Sequence, residues 1–499
     1  MRTLLLGLIL LLPGFLSAQN DHAARIERAI EYLELPKATE LALQEPDTKL
    51  RLYYQARIMF IRYLVSEEPG LLDHFLSLTK SSIHALDRLP DRDPQKNVLM
   101  AEMFFLRGAI KALNQRLLSS AVDLKSACNL IDRNYARFPD NPDQLKLLGI
   151  YHVAMSAIPR KLQWLGKVLC FKGNLSLGLD MLERAARESD LLPNEAQILL
   201  FYFEKNLLDR PKDANVRISR LHAAARNSIV YNYLLLSSFL ELRENDRALD
   251  LCQEWEKRRE QAAISGSPLP IWHYSCGKAW FFRLDYERAI AAFDQFLTDY
   301  QGSTLYADAL YRKGMSLILS DRYTEAQYVF HELTRTEASG FDVDEYAGKM
   351  AAAYLLHEPS ATDRELYAAR NLFDGGYYAA SLEKLSAVSA GNIDLGENQR
   401  TELYYRRGRN YHALDSVEMA RNDYLKCIAT EPGKSLWMKV YAHYYLGRIA
   451  EMQGNPEAAR TWFKTALEFE DYPYQAGLEQ RCKAALQQLK AAKKAPRNG

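Results

Sequence analysis

The sequence predicts an all-α protein, a right-handed solenoid of helix-turn-helix units with an irregular helical N-terminal half. The first observation is a repeat in which four residues return 37 positions later, Gly277, Tyr286, Ala289 and Phe293 being matched by Gly314, Tyr323, Ala326 and Phe330. The second is composition, because Leu and Ala are common whereas Val and Thr are few, which favours helix over strand. A period of this length is typical of stacked helical hairpins, whose units together bury one continuous core.

The length and charge of the chain narrow the class of protein. Its 499 residues exceed the usual size of a single core, which favours several domains or one elongated array. A hydrophobic content of 48% excludes a wholly disordered chain. Lys and Arg number 64 and Asp and Glu 63, so the net charge of +1 gives no support for a nucleic-acid partner or an anionic membrane.

Residues 1–18 have the pattern of a secretory signal peptide. A basic start at Arg2 precedes an apolar run from Leu4 to Leu12, and the small residue Ala18 marks the expected cleavage site. The run is too short to span a membrane, and no later segment is apolar enough to do so. The junction Ser-Ala-Gln-Asn at 17–20 resembles those of Gram-negative envelope proteins, which implies an extracytoplasmic, periplasmic mature chain with peripheral association with the envelope.

Breaks in the helical pattern divide the rest of the chain. Residues 19–92 form an N-terminal helical cap, since the terminal repeats of a solenoid are atypical. Residues 93–226 form a divergent repeat region with an irregular insert at 145–208, and residues 475–499 form a C-terminal helix with a basic tail. Residues 227–474 form the regular array, and its clearest units are 270–303, 307–340, 362–390, 401–434 and 440–473.

Three positions of the regular units explain why two helices pack closely. A small residue at the eighth position lets the two helices approach, and it is Gly277, Gly314, Gly408 and Gly447. Alanine at the twentieth position does the same from the second helix, and it is Ala289, Ala326, Ala420 and Ala459. An aromatic residue four positions later fills the space beside this contact, and it is Phe293, Phe330, Tyr424 and Phe463.

This pattern resembles the tetratricopeptide repeat, which implies a protein-binding scaffold. The 37-residue spacing and the joint Asp-Tyr-Gln-Gly-Ser-Thr at 299–304 are similar to those of an envelope subgroup that includes outer-membrane-assembly lipoproteins and cell-division coordinators. For the divergent region the sequence predicts long helices over 98–114 and 119–138 with the landmark small residues displaced.

The insert at 145–208 resembles a eukaryotic tetratricopeptide family linked to lipid inclusions and the mitochondrial outer membrane. The resemblance is carried by Leu-Leu-Gly at 147–149, the pairs Ile158-Pro159 and Trp164-Leu165, and the helix Gly-Leu-Asp-Met-Leu-Glu-Arg-Ala at 178–185. It implies a helical adaptor with an irregular insert. An alternative function follows, a lipid or small-molecule protein whose pocket uses Trp164, Leu165, Val168 and Phe171, although ordinary inter-helix core is the favoured interpretation of these four.

Stacked hairpins create a concave surface lined by the first helix of each unit, and two rows of residues fall on that helix. The fifth position is Tyr274, Tyr311, Tyr405 and Tyr444. The ninth position is mostly cationic, with Lys278, Met315, Arg370, Arg409 and Arg448. Tyrosine beside arginine suits an extended peptide that carries carboxylates. The alternative is that each arginine is paired with a neighbouring Asp or Glu.

The cysteines and the missing motifs complete the prediction. The six cysteines lie in helical patterns, so buried thiols are the favoured interpretation, and Cys252 and Cys276 on neighbouring helices are the one candidate disulfide. No metal-site spacing, phosphate-binding loop or nucleophile motif occurs. The sequence therefore predicts a non-enzymatic scaffold or adaptor without cofactor or metal, which binds a protein or an acidic, extended peptide in the bacterial envelope and acts in envelope assembly.

Overall fold

The structure, a computed structural model, describes residues 21–90, 93–156, 173–189, 193–261, 269–336, 342–391, 394–431, 436–473 and 475–494. Within these ranges the regular structure is helical and no strand occurs, so the predicted all-α fold is confirmed. No helix in the described ranges has both the length and the apolar character that crossing a membrane requires. The signal peptide predicted at 1–18 and the end of the basic tail lie outside the described residues.

Twenty-four α-helices lie within the described ranges. In chain order they are α1 (Asp21–Glu31), α2 (Leu35–Gln44), α3 (Thr48–Ser66), α4 (Pro69–Asp87), α5 (Pro94–Leu113), α6 (Leu117–Arg137), α7 (Leu145–Ser156), α8 (Leu175–Glu188), α9 (Pro193–Asn206), α10 (Pro211–Ala224), α11 (Ile229–Leu242), α12 (Asn245–Glu260), α13 (Pro270–Phe282), α14 (Tyr286–Asp299), α15 (Tyr306–Leu319), α16 (Tyr323–Arg335), α17 (Asp342–Leu356), α18 (Ala361–Asp374), α19 (Tyr378–Ala390), α20 (Glu397–Ala413), α21 (Val417–Ala429), α22 (Leu436–Met452), α23 (Pro456–Ala466) and α24 (Gln475–Lys494).

The chain forms two compact units. Unit 1 comprises residues 1–276 and 295–303, and unit 2 comprises residues 277–294 and 304–499. The division falls within the helices α13 and α14, whereas the sequence places a boundary at 226/227. The domain boundaries of the sequence analysis stay predictions.

The two helices of a regular hairpin meet at the glycine of the eighth position. An added Cβ at Gly314 would lie 2.3 Å from the Phe330 ring, and one at Gly447 would lie 2.5 Å from the Phe463 ring. Gly277 and Gly408 stand in the same relation to Phe293 and Tyr424, at 2.8 and 2.7 Å. Because real Cβ contacts are longer than this, these four positions admit only glycine at the observed separation of their helices. The predicted tetratricopeptide-type packing is confirmed.

The same packing extends into the divergent region. Gly108 on α5 lies against Leu124 on α6, 16 positions later, where an added Cβ would be 2.7 Å away. Ser120 occupies the position that alanine holds in the regular units, and its hydroxyl donates to the Gly108 carbonyl at 2.7 Å. The prediction that the small residues are displaced here was wrong, because serine and leucine replace alanine and the aromatic residue without any shift in spacing.

A residue with left-handed backbone ends the first helix of the hairpins. From α5 onward it stands one or two positions after that helix in seven of the described turns, at Gln115, Arg243, Leu284, Asp321, Gly376, Asp415 and Gly454. This conformation releases the chain from the first helix and starts the second. Non-glycine residues adopt it at five of the seven turns, so the repeated turn geometry is stronger than the sequence pattern suggests.

One helix of unit 2 was not predicted. The helix α17 follows the hairpin α15–α16, and its Tyr354 ring stacks on Phe330 with centroids 5.9 Å apart. At its N-terminal end the carboxylate of Asp344 accepts hydrogen bonds from the backbone N–H groups of Leu305 and Asp308, at 3.1 and 2.8 Å. It therefore caps the start of α15 while its rings extend the core.

A disulfide joins α12 and α13 in unit 1. Cys252 and Cys276 are bonded, with their Cα atoms 6.0 Å apart. The favoured interpretation of buried free thiols was wrong for this pair and correct for Cys128, Cys427 and Cys482, which are free and buried. Burial raises the pKa of each of these three thiols to about 12, so they stay protonated and unreactive.

Candidate functional site

The structure places most of the predicted tyrosine row in the core. The exposed fractions of Tyr274, Tyr311 and Tyr405 are 6%, 3% and 1%. Tyr311, for example, accepts a hydrogen bond from the hydroxyl of Tyr367 at 3.2 Å and packs beside Phe330. Tyr274 and Tyr311 lie against rings of the second helix of their own hairpins, and Tyr405 lies against Trp437 on α22. These three side chains therefore fill space between helices. Of the four, only Tyr444 is half-buried and open to solvent.

Two of the predicted arginines have carboxylate partners on their own helices. Arg370 lies 3.7 Å from Asp374, one turn later on α18. Arg448 lies 2.8 Å from Glu451 on α22. The alternative of locally paired arginines is therefore correct for these two. Lys278, in unit 2, has its ammonium 5.9 Å from the centre of the Phe282 ring.

Arg409 is different, because among the described residues no carboxylate lies within ion-pair distance of it. Its guanidinium stacks over Phe373 and Tyr445, at 4.5 and 5.0 Å from the ring centres. It also donates a hydrogen bond to the Tyr405 hydroxyl at 3.2 Å. Burial alone would lower the pKa of Arg409, but the tyrosine oxygens around it raise the pKa above its ordinary value. The group is a permanent, oriented cation held by aromatic rings.

Arg409 belongs to a larger patch of unit 2 that we name the tyrosine–arginine surface. It is formed by α20, α22 and α24, and its members are Arg409, Tyr441, Tyr444, Tyr445, Arg448 and Arg481. On α22 the four members are spaced by three and four residues, so they share one helix face. The helix therefore presents three half-buried tyrosines next to the stacked guanidinium of its neighbour.

Arginines on two helices place positive charge on either side of the three tyrosines. Arg481 on α24 is exposed, and the part of the chain that the structure describes offers it no ion-pair partner. Burial raises the pKa of Tyr441 and of Tyr444, and the positive charge of Arg481 opposes that rise at both hydroxyls. Arg409 also acts on Tyr441. Two cations without carboxylates thus flank neutral tyrosines that can donate hydrogen bonds.

The histidine beside this surface is held neutral. Burial lowers the pKa of His412, and the charges of Arg409 and Arg448 lower it further, whereas Asp415 opposes them. Its Nδ1 lies 3.5 Å from the Tyr424 hydroxyl, which itself stands in the core of the hairpin α20–α21. His412 therefore adds no positive charge near neutral pH, and the field of the surface comes from its arginines.

Sequence reasoning missed three members of the surface. Tyr441, Tyr445 and Arg481 lie outside the fifth and ninth positions. A signal for two of them was present, because Tyr441 and Tyr445 are one helical turn apart and flank Tyr444. Arg481 carried no such signal, since its place depends on how α24 packs against α22.

Two other kinds of site are a lipid or small-molecule pocket and a metal centre. The proposed pocket residues Trp164, Leu165, Val168 and Phe171 lie outside the described residues. Among the residues that are described, no group of three metal-binding side chains is arranged to hold an ion. The partner-binding role of the predicted site residues stays a prediction, and the surface around Arg409 is where that prediction is best supported.

Comparison with known proteins finds structural likenesses only. No known protein family matches the sequence, and no curated protein matches it. A tetratricopeptide repeat protein from Parabacteroides merdae is 16% identical, with 59% of this chain and 98% of that chain covered at a TM-score of 0.24. The tetratricopeptide domain of P58(IPK) is 11% identical over 90% and 99%, with a TM-score of 0.23. Human IFIT1, solved as a dimer with m7Gppp-AAAA, is 12% identical over 94% of each chain, with a TM-score of 0.35. These identities and scores are low, and no function follows from them.

Proposed function

We propose that this protein is a non-enzymatic scaffold that binds a protein partner, and that it captures an acidic, extended segment of that partner at the tyrosine–arginine surface. The observation that carries the proposal is Arg409, a guanidinium stacked between rings with no carboxylate partner among the described residues. Arg370 and Arg448, the other two arginines of the ninth position, are paired with carboxylates on their own helices. A cation that is oriented but unpaired is complementary to a carboxylate supplied from outside.

The tyrosines explain why the ligand is expected to be a polypeptide. Tyr441, Tyr444 and Tyr445 offer rigid rings with hydroxyl groups along more than one turn of α22. Such side chains provide contact area at a low cost in conformational entropy, and arginine adds paired hydrogen bonds to a carboxylate. Arg409 and Arg481 lie on different helices, so an extended chain can contact both. The stacked hairpins support a scaffold role, because such arrays present extended binding surfaces.

Replacement of Arg409 by glutamate is expected to weaken binding of a glutamate-rich peptide at least tenfold. The change reverses the charge at the centre of the surface, and a like charge there repels the ligand instead of pairing with it. Fluorescence anisotropy with the labelled peptide, at two salt concentrations, measures the effect. The matched control is Arg421→Glu, the same change at an exposed arginine on the second helix α21. Equal affinity of the wild type and Arg409→Glu would contradict the proposal, as would equal losses in both variants.

We further propose that the mature protein acts in the cell envelope, in the periplasm of a Gram-negative bacterium, and takes part in envelope assembly. The pattern of residues 1–18 supports export. The bond between Cys252 and Cys276 supports it independently, because structural disulfides persist in oxidising compartments.

Protein isolated from its source is expected to begin at Gln19 and to carry the Cys252–Cys276 bond. Thiol labelling with and without reductant, followed by mass spectrometry, reads the bond and the N-terminus in one preparation. The free thiols of Cys128, Cys427 and Cys482 serve as internal controls, since they are labelled after unfolding without reductant. An intact Met1 together with free Cys252 and Cys276 would disprove export.

A further inference from the structure

Five charged side chains from five helices meet in the core of unit 1. They are Glu27 on α1, Arg57 on α3, Glu102 on α5, Lys146 on α7 and Glu195 on α9. None is more than 3% exposed. Charged side chains are rarely buried to this extent, and removing them from water is costly unless each is paired.

The five groups form one continuous chain of ion pairs. Arg57 donates from Nη1 to the carboxylate of Glu27, and its Nη2 lies 2.7 Å from Oε1 of Glu195. Lys146 donates to Oε2 of Glu102 at 2.9 Å and also to Oε2 of Glu195. Glu195 is therefore shared by the two cations, whereas Glu27 and Glu102 each end the chain with one partner.

Within these linked ion pairs, the carboxyl groups outnumber the cations. Three carboxyls face two cations, Arg57 and Lys146, so full ionisation would leave one negative charge without compensation in the core. Glu31, one turn after Glu27 on α1 and 2% exposed, adds a fourth buried carboxyl. A buried, uncompensated carboxylate is expensive, and binding a proton removes that cost.

The surroundings of Glu27 and Glu31 supply few opposing charges. On α1 itself Arg28 acts on Glu31, and Glu27 and Glu31 repel each other. From other elements, the groups that act on them directly are Tyr53, Tyr54 and Arg57 on α3, Glu195 on α9 and Tyr231 on α11. Glu102 on α5 and Lys146 on α7 act on Glu195, and Glu45 after α2 acts on Tyr54. Among these, Arg57 touches Glu27, and Tyr231 lies beside Glu31.

The pKa values of Glu27 and Glu31 agree with the excess of buried carboxyls over cations. Burial raises the pKa of Glu27 to about 7, against the opposing effect of Arg57. Burial also raises the pKa of Glu31 to about 7, against the opposing effect of the nearby Tyr231 hydroxyl. Burial would lower the pKa values of Arg57 and Lys146, but their carboxylate partners raise both, so the two cations stay charged.

We propose that α1 is a proton-sensitive element of unit 1, held in the core when Glu27 and Glu31 are protonated in mildly acidic surroundings and loosened when they ionise above neutral pH. Two of the four buried carboxyls, Glu27 and Glu31, are on this one helix, which has 11 residues. Ionisation therefore acts first on the packing of α1, because opening that single helix hydrates both charges.

The direction of this pH dependence follows from the linkage between proton binding and the packing of α1. An unfolded or opened Glu27 titrates near 4.5, and the packed one near 7. The packed state therefore binds the proton more tightly, and the stability it gains is present below pH 4.5 and lost as the pH rises through 7. Between pH 5.5 and 8 the opening equilibrium of α1 is expected to increase roughly tenfold or more for each carboxyl.

Hydrogen–deuterium exchange of the full chain, resolved to peptides of α1 and α3, tests the proposal. At pH 8 the protection of α1, corrected for the intrinsic exchange rate, is expected to be at least tenfold lower than at pH 5.5. The double variant Glu27→Gln, Glu31→Gln leaves Arg57 and Lys146 balanced by Glu102 and Glu195, so its protection is expected to be the same at both pH values. The control Glu40→Gln, an exposed carboxyl on α2, is expected to behave as the wild type.

Two results would overturn the proposal. One is equal protection of α1 in the wild type at pH 5.5 and 8, and the other is an unchanged pH dependence in the double variant. If the double variant does not fold, infrared spectroscopy of the wild type decides. A band of buried, protonated carboxyl groups at pH 5.5 that disappears by pH 8 supports the proposal, and absence of the band at pH 5.5 disproves it.

Discussion

Replacement of Arg57 by methionine is expected to destabilise unit 1 by about 3–5 kcal/mol, because removing one member of a buried ion pair leaves the other charges uncompensated. Arg57 is 1% exposed and joins Glu27 to Glu195. Methionine has a similar length and fills most of the space, so the loss reports charge more than volume. Only Lys146 would remain to oppose three buried carboxyls of the chain of ion pairs.

Urea unfolding at neutral pH, followed by far-ultraviolet circular dichroism, measures this loss. The matched control is Arg62→Met, an exposed arginine on the same helix α3, which is expected to change stability by less than about 0.5 kcal/mol. Adding Glu27→Gln and Glu195→Gln to Arg57→Met removes the excess charge and is expected to restore part of the stability. If Arg57→Met and Arg62→Met cost the same, the buried pairs contribute nothing and the expectation is wrong.

The regular hairpins could be predicted from sequence because their determinants are local. The contact of Gly314 with Phe330 joins residues 16 positions apart on two consecutive helices, and it leaves a fixed spacing of residue types. The hairpin α5–α6 uses the same contact, between Gly108 and Leu124. Both helices of this hairpin were predicted, but the contact was not, because leucine and serine do not distinguish these positions from an ordinary helix core.

The buried ion pairs could not be predicted, because their partners are far apart in sequence. Glu27 and Glu195 meet the same guanidinium although 168 residues separate them. A partial signal existed on α1, where Glu27 and Glu31 share a stripe with the buried residues Ala23 and Ile30. A carboxyl in the apolar stripe of a helix indicates a buried partner, but the sequence does not identify which residue it is.

The candidate site was predicted in part. Arg409 was chosen for its position on the first helix of a unit, and that position is why it lies beside the aromatic residues of the neighbouring helices α18 and α22. Which arginines would be paired could not be derived, since Arg409, Arg370 and Arg448 follow the same pattern in sequence. The tyrosines of the fifth position were expected on an open surface, and three are buried because aromatic rings of neighbouring helices lie against them.

Replacement of Phe330 by alanine is expected to destabilise unit 2 by about 3–5 kcal/mol, since it removes a fully buried ring that its surroundings cannot replace. The ring is 0% exposed, lies against Gly314 and stacks on Tyr354, so the cavity would adjoin both the hairpin α15–α16 and the helix α17. Gly314 has no side chain to fill it.

Leucine at position 330 separates the loss of the cavity from the loss of the ring. Leu124 fills the corresponding place beside Gly108, so Phe330→Leu is expected to cost less than half as much as Phe330→Ala. Tyr328→Ala is the control, because Tyr328 lies on the same helix and is 72% exposed. Chemical unfolding of the three variants orders them, with alanine at 330 the least stable. If Phe330→Ala is no less stable than Tyr328→Ala, the glycine–aromatic contact does not hold this hairpin together, and the physical explanation of the repeat given by residues 277–330 fails with it.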